Sequence, residues 1–292
     1  MRDLLERLQP RGHCRVVLSQ ESVSVRCVGA SRTAAAVIER PLGVMAEMPN
    51  TDMLAALIAS ALDQAGGIGL PVHVTLGDEL VRYFMVTPPA NAARMQDLRA
   101  AVAVRFQTLY GDTVAAWQLT ADWRAVEPFL ACAVRRNVLM ALPLGVAPGG
   151  GCLVSVTPNF VSAWNRLRKQ LGANAWLATL RDGALTLGLV VNAAKPRLAS
   201  VRTLVLPEPV PTLPWLREHV ARAALLDDVT APAVLHIHGP QIDAWHAGSA
   251  SSGEAGMNVH WHESGAAPHT PKGRVASILF GLSRFAGKGA TS

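Results

Sequence analysis

The sequence predicts an α/β protein of two lobes, and three observations lead there. Short runs with period-two alternation are separated by segments of helical spacing. The element order βββαβαβα can be laid along the chain twice, as a repeat of pattern and not of residue identity. An insertion at about 79–128 interrupts the first copy.

The elements follow in order. Alternating runs at 14–18 and 23–28 flank the polar turn Ser19-Gln20-Glu21-Ser22, which reads as a hairpin. A third strand is expected at 34–39. Asp52 is placed as the N-cap of a helix bearing Leu54, Leu57, Ile58, Ala61 and Leu62, ended by Gly66-Gly67. A strand at 72–76 closes at Gly77-Asp78. The insertion then offers a strand at 80–86, stopped by Pro88-Pro89, a helix at 93–109 and a strand at 115–123. A return strand at 129–134, a helical stretch at 135–142, a strand at 153–157 and a helix at 159–171 complete the first copy. Pro148-Gly149-Gly150-Gly151 reads as a flexible joint, without the Lys and Ser/Thr a phosphate loop requires.

The second copy opens with strands at 176–180 and 184–191 around Asp182-Gly183, a strong hairpin signal. Then come a strand at 198–206, a helix from Thr212 to about 226, a strand at 234–238, a Ser/Gly-rich loop at 248–256 and a strand at 259–262. A final helix is expected at 275–285. The domain plan is therefore lobe one at 1–171 with its insertion, lobe two at 172–270, and a basic amphipathic helix and tail at 271–292.

Of the 292 residues, 50% are hydrophobic and 16% charged, which excludes a disordered chain. No run reaches the roughly 18 apolar residues of a membrane span, and the N-terminus lacks a signal peptide's apolar core, so a cytoplasmic protein is expected. Cys14, Cys27, Cys132 and Cys152 form no C-x-x-C pair and are read as reduced small hydrophobes. The net charge of +6 comes from scattered arginines with no basic block, so no nucleic-acid partner is expected.

Two lobes of this order, with an insertion after the fourth strand, resemble the actin-like ATPase superfamily (the RNase H-like two-lobe fold). Within it the chain is similar to the group that includes FtsA, the type IV pilus assembly protein PilM and the cytoplasmic domain of the type II secretion protein GspL. Val86-Thr87-Pro88-Pro89 looks like their strand-to-insert junction, and Leu130-Ala131-Cys132-Ala133-Val134-Arg135-Arg136 like their return strand. Leu153-Val154-Ser155-Val156-Thr157-Pro158 looks like their lobe-crossing segment.

ATP-binding members carry Asp-x-Gly in the first hairpin, with a basic residue further along. Here Ser19 stands at the Asp position, Glu21 at the Gly position and Arg26 at the basic one. A carboxylate beside a phosphate is unfavourable without a cation between them. Gly239-Pro240 replaces a Gly-Gly pair at the adenosine end, and proline removes a backbone donor. The resemblance thus implies a scaffold with a degenerate cleft, no cofactor and no catalytic residue. ATP in the cleft belongs to the alternative reading, an active ATPase or sugar-kinase-like enzyme.

The resemblance also implies a site for the partner. In PilM-like proteins a groove beside the insertion takes the cytoplasmic tail of an inner-membrane protein. Tyr83, Phe84, Met85, Phe106 and Tyr110 gather aromatic and thioether surface here, and build either that groove or the insertion's own core. Val275, Ile278, Leu279, Leu282 and Phe285, flanked by Lys272, Arg274, Arg284 and Lys288, form a helix packed on lobe two or touching the inner membrane. Leu4, Leu5 and Leu8 would make a smaller version. Self-association is left open. His236-x-His238 and His260-x-His262 each put two imidazoles on one strand face, where four nitrogens could meet zinc or copper if the strands were neighbours. No Cys or carboxylate joins them at recognised spacing, so solvated histidines and no metal are expected.

Overall fold

A computed structural model describes residues 12–29, 37–42, 50–90, 92, 94–172, 174–191, 195–245 and 257–262. Lobe one is built on a five-stranded sheet of order β3-β2-β1-β4-β8. Its strands are β1 (Gly12–Leu18), β2 (Ser22–Gly29), β3 (Ile38–Pro41), β4 (Pro71–Leu76) and β8 (Cys152–Pro158). The first three run antiparallel, and β4 and β8 lie parallel to β1. Lobe two repeats the plan with order β11-β10-β9-β12-β13. Here the strands are β9 (Trp176–Arg181), β10 (Ala184–Val191), β11 (Arg197–Val205), β12 (Val234–His238) and β13 (Asn258–His262). The duplication read from element order is therefore a duplication of topology.

Helix α1 (Thr51–Gln64) is capped by Asn50, whose side chain accepts the Met53 N–H at 2.9 Å. Asp52, the expected cap, sits inside the first turn, where it still complements the helix dipole. Helix α3 (Arg136–Val146) packs on α1 and continues through Pro143 to Val146. The two approach closely because Gly145 has no side chain: a Cβ there would lie 2.8 Å from the Ala55 carbonyl. Gly149 to Gly151 form a hydrogen-bonded turn inside lobe one in place of the expected flexible joint, with the Gly69 N–H donating to the Gly149 carbonyl at 2.8 Å.

The insertion has its own three-stranded sheet, β5 (Val81–Val86), β7 (Phe129–Arg135) and β6 (Trp117–Ala121) in the order β5-β7-β6, covered by α2 (Met95–Tyr110). Strand β7 pairs with β5 and β6, so this unit extends to Arg135 and not only to 128. Phe84, Val102, Phe106, Trp117 and Phe129 fill its core.

One apolar core joins lobe one to lobe two. Phe160, Val161 and Trp164 of α4 (Asn159–Leu167) pack with lobe-one strands on one side and with Leu177, Val190 and Leu198 on the other. Gly188 makes room for this seam, since a Cβ there would meet Phe160 Cζ at 2.4 Å. A second core lies between the opposite face of the lobe-two sheet and α5 (Leu213–Leu226).

Cys14 and Cys27 face each other across the β1–β2 ladder and form a buried disulfide, which corrects the expectation of four free thiols. Antiparallel register sets the two residues directly opposite each other, with Cα atoms 4.1 Å apart. Cys132 is free and buried, and Cys152 is free and exposed. The segments holding Leu4, Leu5 and Leu8, the loop at 248–256, the 275–285 helix, and residues 34–36 of the expected 34–39 strand lie outside the described residues. Among those described, no helix is long and apolar enough to cross a membrane.

Candidate functional site

The β1–β2 and β9–β10 turns both lie near the Asp78–Leu80 turn, through Gln20 and Asp182. In the β1–β2 turn, Ser19 is buried and its Oγ accepts the N–H groups of Glu21 at 3.2 Å and Ser22 at 3.0 Å. The Ser19 N–H donates to the Ser22 carbonyl at 2.9 Å, and the Gln20 N–H to Glu79 Oε1 at 2.9 Å. Four successive backbone donors, 19 to 22, thus have partners inside the protein. A phosphate-binding turn works by leaving such donors free and convergent. Ser19 holds its own turn closed.

Glu79 is the residue that sequence reasoning missed. It follows β4 in a 3-10 turn (Asp78–Leu80), and its carboxylate folds back over Gly77, where a Cβ would lie 2.1 Å from Oε1. Burial pushes its pKa up to about 7; the Gln20 N–H opposes this, and the Asp182 and Asp78 carboxylates add to it. Asp182 and Gly183, at φ 46° and 70°, form the turn between β9 and β10. An anion entering between the turns would meet carboxyl groups from both sides.

Asp78, next to Glu79, is 1% exposed and holds the lobes together. Its Oδ1 accepts the Tyr83 hydroxyl at 2.5 Å and the Phe160 N–H at 2.8 Å. Its Oδ2 accepts Thr179 Oγ1 at 2.6 Å and Asn159 Nδ2 at 3.3 Å. The donors come from β5, the start of α4 and β9, hence from the insertion and both lobes. Burial raises the pKa of Asp78 while all four donors act against it. The Tyr83 hydroxyl is held well above its usual range by burial and by this neighbour. A carboxyl directly after a sheet strand was the only sequence signal, since α/β crevices open at the carboxyl ends of strands.

The other proposed cleft residues fall in different places. Glu21 is exposed in the turn. Arg26 lies on β2 opposite Arg15, three residues from the hairpin end, and so does not reach the turn. Gly239 packs against Leu180, whose carbonyl would be 2.3 Å from a Cβ, which explains the glycine by close approach.

Beside the insertion runs a groove of about 970 Å³ between the end of β5 and the outer face of α2. Met85, Thr87, Ala100, Ala101, Val104 and Arg105 are among its walls, and Val104 is 62% exposed. Of the five side chains proposed for partner binding, only Met85 lines it. Tyr83, Phe84 and Phe106 are buried, and Tyr110 is half-buried with its hydroxyl on the Tyr83 carbonyl at 2.9 Å. The aromatic cluster is the insertion's core and its seam with lobe one; the groove is walled by small aliphatic residues. Strand β5 is an edge of its three-stranded sheet and lies against β11 of lobe two.

Strands β12 and β13 are neighbours and parallel, with His236 opposite His260 and His238 opposite His262. His236, His260 and His262 gather; His238 stays outside the group.

No family model and no curated protein matches the sequence. Solved structures do. The cytoplasmic domain of EpsL, an inner-membrane component of the type II secretion system of Vibrio cholerae, matches at TM-score 0.52 and 14% identity, over 87% of this chain and 90% of that one. A protein of actin-like ATPase fold and unknown function from Bacteroides thetaiotaomicron matches at 0.55 and 6%, over 87% and 91%. A structure of the PilM–PilN type IV pilus biogenesis complex matches at 0.53 and 13%, over 78% and 81%. With the 3-2-1-4-5 sheet order present twice, these likenesses lead to one conclusion: the chain has the actin-like two-lobe fold.

Proposed function

We propose that this chain is a non-catalytic scaffold of the actin-like fold in an inner-membrane assembly platform of the type II secretion or type IV pilus kind. It takes the cytoplasmic N-terminal tail of a membrane protein and does not turn over nucleotide. The likeness to the EpsL cytoplasmic domain and to a PilM–PilN complex supports the setting. The observation that carries the loss of nucleotide chemistry is the β1–β2 turn, whose donors are already taken by Ser19 and by the Glu79 carboxylate. The β5–α2 groove supports the docking role, because its largely apolar walls could take side chains of an extended peptide.

Two measurements on the full chain test this reading. Calorimetry with Mg-ATP is expected to give no binding heat, and micromolar binding with turnover would replace the scaffold by the enzyme. A photo-crosslinker at Val104, in cells, is expected to join the N-terminal cytoplasmic segment of a membrane-anchored protein. Adducts confined to soluble proteins would overturn the docking role.

A further inference from the structure

The parallel register of β12 and β13 places His236, His238, His260 and His262 on one face of the lobe-two sheet. Leu177 and Thr179 of β9 share this face, with α4 packed over Leu177. His236 Nδ1 lies 3.0 Å from His262 Nε2, and the His260 and His262 ring centres are 4.7 Å apart. One nitrogen from each of His236, His260 and His262 lies within 4.8 Å of the other two. We propose that these three imidazoles bind one late first-row divalent metal ion, zinc foremost, between the last two strands of lobe two.

The chemistry of the donor set selects the ion. Nitrogen ligands without a carboxylate among them suit zinc, copper or nickel and not magnesium or calcium. Three nitrogens about 2.0–2.1 Å from a tetrahedral zinc stand about 3.4 Å apart. The observed triangle reaches that size by small side-chain rotations. The register that sets His260 opposite His236 and two residues from His262 brings the third ring to the same point.

Neutral imidazole is the form that binds metal. The exposure of His260 leaves the fourth position open to solvent. His238 remains outside the group. A metal held this way would clip β13, which among the described residues pairs with β12 alone, to the sheet.

The test uses tag-free, chelator-stripped full chain, titrated with zinc alone by calorimetry and with cobalt(II) by visible absorption. One ion per chain is expected, and cobalt should show the strong visible bands of a four-coordinate site. His260→Ala and His262→Ala should each weaken zinc by about tenfold or more, with circular dichroism unchanged, while His13→Ala should have no effect. Should His262→Ala fail to fold, His260→Ala decides, because that side chain is exposed. Absence of one-to-one binding, zinc affinity unchanged in His260→Ala, or loss of binding in His13→Ala would each overturn the proposal.

Discussion

The Gln20 backbone N–H donates to Glu79 Oε1 at 2.9 Å, so a carboxylate from the end of β4 occupies the mouth of the β1–β2 turn. The carboxyl group facing this turn is the chain's own, and burial gives it a pKa of about 7 against 4.5 when free.

That elevation fixes a pH dependence. Between about pH 4.5 and 7 the folded state holds a proton at Glu79 that the unfolded chain has released, so stability falls as pH rises through this window. Above 7 both states are ionised and the loss is constant. Glu79→Gln keeps an acceptor for Gln20 and removes the titration. Its advantage over the parent should grow by about 2 kcal/mol between about pH 5 and pH 8, read from urea unfolding at each pH. A constant difference would contradict the assignment.

Asp78 accepts four donors from three parts of the molecule, so its removal leaves several buried donors unmatched. Asp78→Ala is expected to cost about 3 kcal/mol or more. Thr179→Val, which removes one donor from lobe two, should cost about 1–2 kcal/mol. In the double variant the costs should fall short of additive, because the Thr179–Asp78 bond is lost only once.

Gly188 lies under Phe160, with no room for a methyl group. Gly188→Ala should displace the ring at the seam between the lobes and cost about 1–3 kcal/mol, against the gain alanine normally gives in a strand. Denaturant titration measures the difference, and a stabilised variant would show that the seam yields easily.

Thiol reactivity follows from burial. Cys152 is exposed and should react fast with a thiol reagent in the native protein. Cys132 is buried with its pKa pushed up to about 12, so it should react only on unfolding. Cys14 and Cys27 are bonded and should add two further thiols only after reduction. Four thiols in the unreduced, denatured protein would refute the disulfide.

Much of the fold was legible because it rests on local signals. Asp182-Gly183 marked the β9–β10 turn, and both residues adopt the positive φ that this pair favours. Alternation located the strands, and the repeated order gave the two sheets. The site was less legible, since its parts lie far apart in sequence. Asp78 meets Phe160 82 residues away and Thr179 101 away, and nothing local to Gly77-Asp78-Glu79 announces either contact. Phe84 and Phe106 could be docking surface or the insertion's core, because sequence shows an aromatic cluster without showing which side faces solvent. Cys14 and Cys27 needed the hairpin register, which pairs residues equidistant from the turn, before they could be seen as partners.

Enzymes of two-lobed shape work by hinging, closing on a ligand and then releasing it. Swinging these halves apart would strip Thr179 from a carboxylate that is 1% exposed and tear Phe160 from its slot over Gly188. Any movement that parted the lobes would first have to break these central contacts, to which the insertion is also tied through Tyr83.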